Sequence, residues 1–202
     1  MLIDKRSVID IVWQYSRFYG ERLSDCERLF ENEEGYAALI LLFEITENIC
    51  KFAAGNYEEK FQIIVDKLHK QDVISSKVKN FLSDAPYSVR KIRNKFAHAN
   101  LFLKGIVKEE KGKDIFYAFS ENETCLLIYD MYSTIVFNIL KNIYALNKYD
   151  EIDKQLDEFN LKVVTLTKEQ KIMMNRIDKE DYIKMVSLGI SEDKILQMSE
   201  NY

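Results

Sequence analysis

Between Asp84 and Glu109 the sequence holds no acidic residue, yet it carries Arg90, Lys91, Arg93, Lys95, Lys104 and Lys108. A basic run with no internal counter-charge is the kind of feature that contacts phosphates. A solvated helix face is the plainer alternative, and charge alone does not separate the two. Helical spacing does more. At about 100° per residue, Val89, Ile92, Phe96 and Ala99 share one narrow face, which makes it the core face. Arg90, Asn94 and His98 follow one another at one-turn intervals on the opposite side. Provided the helix continues that far, a histidine placed there is not expected in the core, and an imidazole titrating near neutrality suits proton transfer. Arg93 falls about 140° from His98 around the same helix, so one copy would struggle to close both groups on one phosphate. Two copies meeting across a twofold axis could pool their Arg, Asn and His side chains.

The string Arg90-Lys91-Ile92-Arg93-Asn94-Lys95-Phe96-Ala97-His98 closely resembles the signature of the HEPN superfamily: an Arg, a polar residue such as Asn, then a His after a short interval. The form R-K-I-R-N-x-F-A-H is similar to that of relatives of the mannitol operon repressor and of several bacterial defence proteins. The order of long helices agrees with that family over about residues 4–148, whereas residues 150–202 have no recognisable counterpart. The resemblance implies a bundle of four or five helices that dimerises with the two motifs facing each other. In catalytic members this makes a metal-independent endoribonuclease that uses no cofactor. Carried onto this sequence, His98 serves general acid-base catalysis of attack by the RNA 2′-hydroxyl, leaving a 2′,3′-cyclic phosphate. Arg93 binds the scissile phosphate and stabilises the charge that builds on it. Asn94 orients the imidazole or a phosphate oxygen. Arg90, Lys91 and Lys95 hold flanking phosphates by sequence-independent contacts, so binding should weaken with salt.

The same resemblance supports a second expectation, a non-catalytic HEPN dimer acting as a regulatory, partner-binding or nucleotide-binding module. Many toxin members carry a Tyr two residues after the His, the target of a modifying antitoxin, and here that position is Asn100. The implied partners are a second copy of the chain, an RNA substrate, and an antitoxin or regulatory protein.

The rest of the composition bounds these readings. With 202 residues, 47% of them hydrophobic and 31% charged, the chain can build one sizeable domain and a small appendage. One Pro and six Gly favour long helices over a turn-rich sandwich or barrel. Two histidines and the scattered Cys26, Cys50 and Cys125 form no pair with ordinary zinc-ligand spacing, so no metal is expected. Charges at Asp4, Lys5 and Arg6 interrupt the start where a signal peptide needs an apolar run. With an odd number of cysteines, this predicts a cytoplasmic protein with reduced thiols. The most apolar stretches are broken by Glu44 and Glu47, and by Asp130, Asn138 and Lys141, so neither predicts a membrane span.

The elements that must position the motif are accordingly predicted as helices. Periodicity places one long helix, or two broken near Gly20, over residues 4–30, and a central apolar helix over 36–54. Further helices are expected at 57–70, 73–83, 85–99 and 123–148, with Ser83-Asp84-Ala85 and Pro86 starting the motif helix. Residues 102–120 predict a β-hairpin or an ordered loop. The fold class is therefore all-α: a HEPN-like bundle over 1–149 with that insertion, followed by a small helical appendage over 150–202. In the appendage, Thr167, Asp178 and Ser191 are the expected helix caps. Glu44 and Glu47 are expected on an exposed edge, with pairing to Arg93 or tuning of His98 as the alternative. His69 is expected on the surface, and Phe102 and Phe116 are expected in packing roles, with stacking on RNA bases as the alternative.

Overall fold

The computed structural model describes residues 4–97, 101–110, 113–145, 150–175 and 177–200. The α-helices are α1 (Lys5–Tyr15), α2 (Arg17–Glu31), α3 (Gly35–Ala53), α4 (Phe61–Lys70), α5 (Ser76–Lys79), α6 (Val89–Phe96), α7 (Asn122–Ala145), α8 (Asp150–Glu158), α9 (Lys168–Met174), α10 (Lys179–Ser187) and α11 (Glu192–Ser199). The strands are β1 (Lys104–Glu110), β2 (Lys113–Ala118) and β3 (Lys162–Thr165). The chain is thus mostly helical, as expected, and the expected hairpin is present; what the all-α expectation lacked is a third strand, which completes a small antiparallel sheet of order β2-β1-β3.

The first break falls at Ser16 rather than near Gly20. Ser16 leaves the helical backbone and its hydroxyl accepts the Tyr19 N–H, an N-cap that starts α2. Gly20 has another purpose. It lies inside α2, and a Cβ there would sit 1.9 Å from Trp13 Cδ1, so only glycine lets α1 and α2 close to this distance.

α3 is the centre of the bundle, as its apolar surface requires. It buries Leu39, Leu42, Phe43, Ile45 and Ile49 and packs on α2 and α7. α7 buries Ile128, Tyr132, Ile135, Ile139 and Ile143 along with Tyr129, Val136 and Leu140, and packs on both α1 and α3. Each such leucine, isoleucine or phenylalanine contributes roughly 1.5–3 kcal/mol on burial, so this three-helix contact dominates the stability.

α6 is shorter than predicted. Its N-cap is Ser88, whose hydroxyl accepts the Lys91 N–H and donates to the Ser83 carbonyl. The polar residues expected to begin it instead end a π-helical turn, Asn80–Asp84, and Pro86 stands ahead of the helix.

The segment after the motif is a hairpin, with Gly105 opposite Ala118 and Glu109 opposite Asp114. A Cβ at Gly105 would lie 2.1 Å from the Tyr117 carbonyl oxygen, so this strand position requires glycine. The second edge of β1 pairs with β3, Lys104 facing Thr165 and Val107 facing Lys162.

The expected helical appendage is therefore partly β-structured. Its first part also belongs to the bundle: Ile152, Leu156 and Leu161 join the main core, and Phe159 packs on Phe81, Tyr87 and Tyr132 with ring centroids 5.2–5.4 Å apart. α9, α10 and α11 gather around a second small core of Ile172, Ile177, Tyr182, Ile195 and Leu196, to which Leu103 contributes. Their starts follow the predicted caps: Thr167 and Gln170 form a reciprocal capping box, and Asp178 and Ser191 cap the next two helices.

Candidate functional site

α6 carries the motif, and its buried face is the predicted one: Val89, Ile92 and Phe96. The Phe96 ring stacks on Phe119 at 5.2 Å and lies against Tyr36 at 5.6 Å, which anchors the end of the helix that leads to the motif histidine. Ala97 caps α6, and His98, the expected catalytic histidine, lies outside the described residues together with Ala99 and Asn100.

The basic residues of α6 separate into three settings. Arg90 turns back to the π-helical turn, where its Nε donates to the carbonyl and the hydroxyl of Ser83, both at 3.2 Å. Lys91 Nζ donates to the Asp84 carbonyl at the end of the same turn. These bonds satisfy carbonyls that a π-helical turn leaves open and fix where α6 begins.

Arg93 faces the bundle instead. Its Nη1 pairs with Glu47 Oε2 on α3, and Glu47 Oε1 also pairs with Lys51 Nζ at 2.8 Å. The guanidinium lies 5.9 Å from the centroid of the Phe61 ring. Burial lowers the Arg93 pKa from its ordinary value, which leaves it a cation at neutral pH because an arginine starts so high. Glu44 is exposed as expected, but Glu47 is not at an exposed edge: its side chain is only 14% exposed. One carboxylate facing two cations leaves this triad with a surplus positive charge, a third of the Arg93 side chain remaining open to solvent.

On another side of α6, an open cleft of about 430 Å³ is lined by Pro86, Lys91, Asn94, Lys95, Lys104 and Val163. It holds three ammonium groups and no carboxylate, and none of the three forms an ion pair with a described residue. Burial, and then the nearby charge of Lys104, hold the Lys95 pKa below that of an ordinary lysine. Such a site favours an anion that can restore the balance of charge.

The structure therefore brings Asn94, Lys91 and Lys95 together and places Arg93 outside the cleft that they line. The Glu47–Arg93 pair is the alternative that the sequence offers for Glu47, whereas the places of Lys104 and Val163 in the cleft are not assigned from it. Charge pointed to Lys104 as part of the basic run, but only the pairing of β1 with β3 sets it and Val163 beside α6. Phe102 and Phe116 lie away from this cleft: Phe102 lines a separate pocket with Glu121, Lys171 and Asn175, and Lys171 Nζ stands 5.9 Å from the Phe116 ring. His69 is half-buried, its Nδ1 3.1 Å from the Ile74 carbonyl oxygen, a structural role at the end of α4.

Among the described residues no group of three His, Cys, Asp or Glu side chains could hold a metal ion, and no helix is long and apolar enough to cross a membrane. The three cysteines are free and buried, and burial pushes the Cys50 and Cys125 thiols up to about 12. Comparison with known proteins finds no matching family model, no matching curated protein and no matching solved structure.

Proposed function

We propose that this protein is a metal-independent endoribonuclease of HEPN type that works as a homodimer, in the setting of bacterial defence or of a toxin. The observation that supports this most is the carboxylate-free cleft beside α6, because it offers Asn94 and three lysines to a polyanion directly next to the motif. In this reading His98 takes the proton from the 2′-hydroxyl as the 2′-oxygen bonds to phosphorus. The bond from phosphorus to the 5′-oxygen breaks, and a second imidazole, from the other copy, protonates the departing oxygen. Arg93, oriented by its pairing with Glu47, contributes its remaining N–H donors to the phosphoryl oxygens across the dimer. Asn94 orients the imidazole or the phosphate.

One observation favours the alternative, a non-catalytic dimer that binds a nucleotide or a regulatory partner: Arg93 is already engaged by Glu47 and does not line the cleft. Incubating the purified protein with mixed RNAs in EDTA separates the two. Cleavage products ending in 2′,3′-cyclic phosphate, lost in His98→Ala and in Arg93→Ala, are the expected result. An intact RNA pool at high protein concentration would sink the nuclease reading and leave the binding module.

A further inference from the structure

We infer that the cleft between α6 and the sheet is a phosphodiester subsite for a single RNA strand, with Lys95 of α6 and Lys104 of β1 clamping one backbone phosphate. Asn94 donates its side-chain amide to an oxygen of the same phosphate, and Lys91 meets the neighbouring one. The inference takes the identity of the strand from the RNA reading above, but it does not depend on cleavage.

Four observations carry it. The lining combines three cations with one neutral amide and no acid; Lys91 Nζ already donates to the Asp84 carbonyl, so Lys95 and Lys104 are the two ammonium groups that carry the clamp. Lys104 and Lys95 come from separate elements, and β1 is held by hydrogen-bonded partners on both edges, so their approach is imposed by the fold. Bringing two like charges together costs free energy that a bound phosphate returns, a sign of preorganisation for an anion. The remaining walls, Pro86 and Val163, are apolar and suit the face of a ribose, in a volume of about 430 Å³ that accommodates a nucleotide unit as well as a bare ion.

The chemistry points to a nucleic-acid strand over an anionic membrane. A membrane-binding cationic site needs apolar side chains that enter the interface beside the lysines. The large exposed apolar residues here are not in the lining; Trp13 and Phe18 are on α1 and α2, and Ile183, Val186 and Leu188 are at α10. The inference also gives β3 a purpose. By supplying Val163 and pairing with Lys104, the C-terminal part of the chain builds one wall of the groove.

The test is fluorescence anisotropy with a labelled single-stranded 2′-O-methyl oligonucleotide of mixed sequence, which cannot undergo 2′-hydroxyl attack, titrated at several salt concentrations. Full-length Lys104→Gln and the double variant Lys95→Gln/Lys104→Gln are compared with wild type, Lys104→Arg and a distant control, Lys194→Gln. Each lysine removed should weaken binding roughly 3- to 10-fold and lower the slope of log affinity against log salt by about 0.7, the single-strand value per phosphate contact. Lys104→Arg and Lys194→Gln should remain within about twofold, and thermal unfolding checks that each variant is folded. A Lys104→Gln protein that binds like wild type with an unchanged salt slope overturns the subsite. So does displacement of the oligonucleotide by polyglutamate at equal charge, because the cleft would then be an unspecific cationic patch. If lysine-dependent binding is found while no RNA is ever cut, the subsite stands and the nuclease reading fails. If RNA is cut but binding ignores Lys95 and Lys104, the reverse holds.

Discussion

Glu47 of α3 and Arg93 of α6 form an ion pair whose carboxylate side chain is only 14% exposed. The pair links the central helix of the bundle to the helix that carries the motif. It also fixes one end of a long, flexible cation, which lowers the entropy lost if that cation has to meet a ligand. A double-mutant cycle with Glu47→Gln and Arg93→Gln should give a coupling of about 1–2 kcal/mol in chemical denaturation, larger than for a fully exposed pair. A coupling near zero would show that the pair has no structural value. If the protein is the ribonuclease proposed above, Glu47→Gln alone should also raise the KM for RNA more than Lys51→Gln does, because Glu47 is the residue paired with Arg93.

The lowered pKa of Lys95 has opposite consequences for stability and for binding. Its folded-state value lies below the unfolded lysine value of about 10.4, so in the window between them the unfolded chain binds more protons. Stability contributed by this group therefore rises with pH through that window. On the proposed subsite, RNA affinity should fall over the same range, because the bound phosphate would lose a cation. Following both quantities as pH is raised towards 10, with Lys95→Arg as the comparison that stays charged, should show the crossing; parallel behaviour of the two proteins would refute it.

At Gly20, substitution by alanine should destabilise the protein despite the better helix propensity of alanine. The gain is about 1 kcal/mol, but the new methyl collides with the root of the Trp13 ring and forces it outward, an overpacking cost of about 1–3 kcal/mol. Trp13 is the single tryptophan, so its fluorescence reports the displacement directly as a red shift. Trp13→Ala combined with Gly20→Ala should be less destabilised than the sum of the single changes.

Removing residues beyond 149 should unfold the bundle rather than trim it. The lost segment includes Ile152, Leu156 and Leu161 of the main core, and it leaves β1 with an open edge. Phe159→Ala is a milder test of the same contact, expected to cost about 2–3 kcal/mol because its ring is half-buried among Phe81, Tyr87 and Tyr132. Deleting residues after Thr167 should spare most of the stability, since α9 to α11 pack around their own small core. Thermal unfolding of the three proteins ranks these costs.

The parts legible in the sequence were those governed by local rules. The apolar face of α6, the apolar positions buried along α7 and the capping residues Thr167, Asp178 and Ser191 all follow from periodicity or cap chemistry. The misplaced features depend on distant partners. Ser16, not Gly20, divides α1 from α2, because the glycine answers a side chain on the facing helix. β3 is too short to stand out from its helical surroundings and is stabilised by pairing with β1. In the candidate site, charge pattern marked α6 and Lys104, whereas the pairing of Glu47 with Arg93 and the entry of Val163 into the cleft depend on how helices and strands meet.

The order in which β1 acquires its neighbours also bears on how the protein is made. β2 follows it at once through a hairpin, but β3 is synthesised only after α7 and α8. On a ribosome the nascent chain therefore displays the motif helix and an unsatisfied strand edge for some time before the wall containing Val163 exists. If the cleft holds an RNA strand as proposed, a groove completed so late in synthesis keeps a half-made chain from gripping it in the mature manner, and until β3 arrives the emerging edge of β1 is open to pairing with another chain.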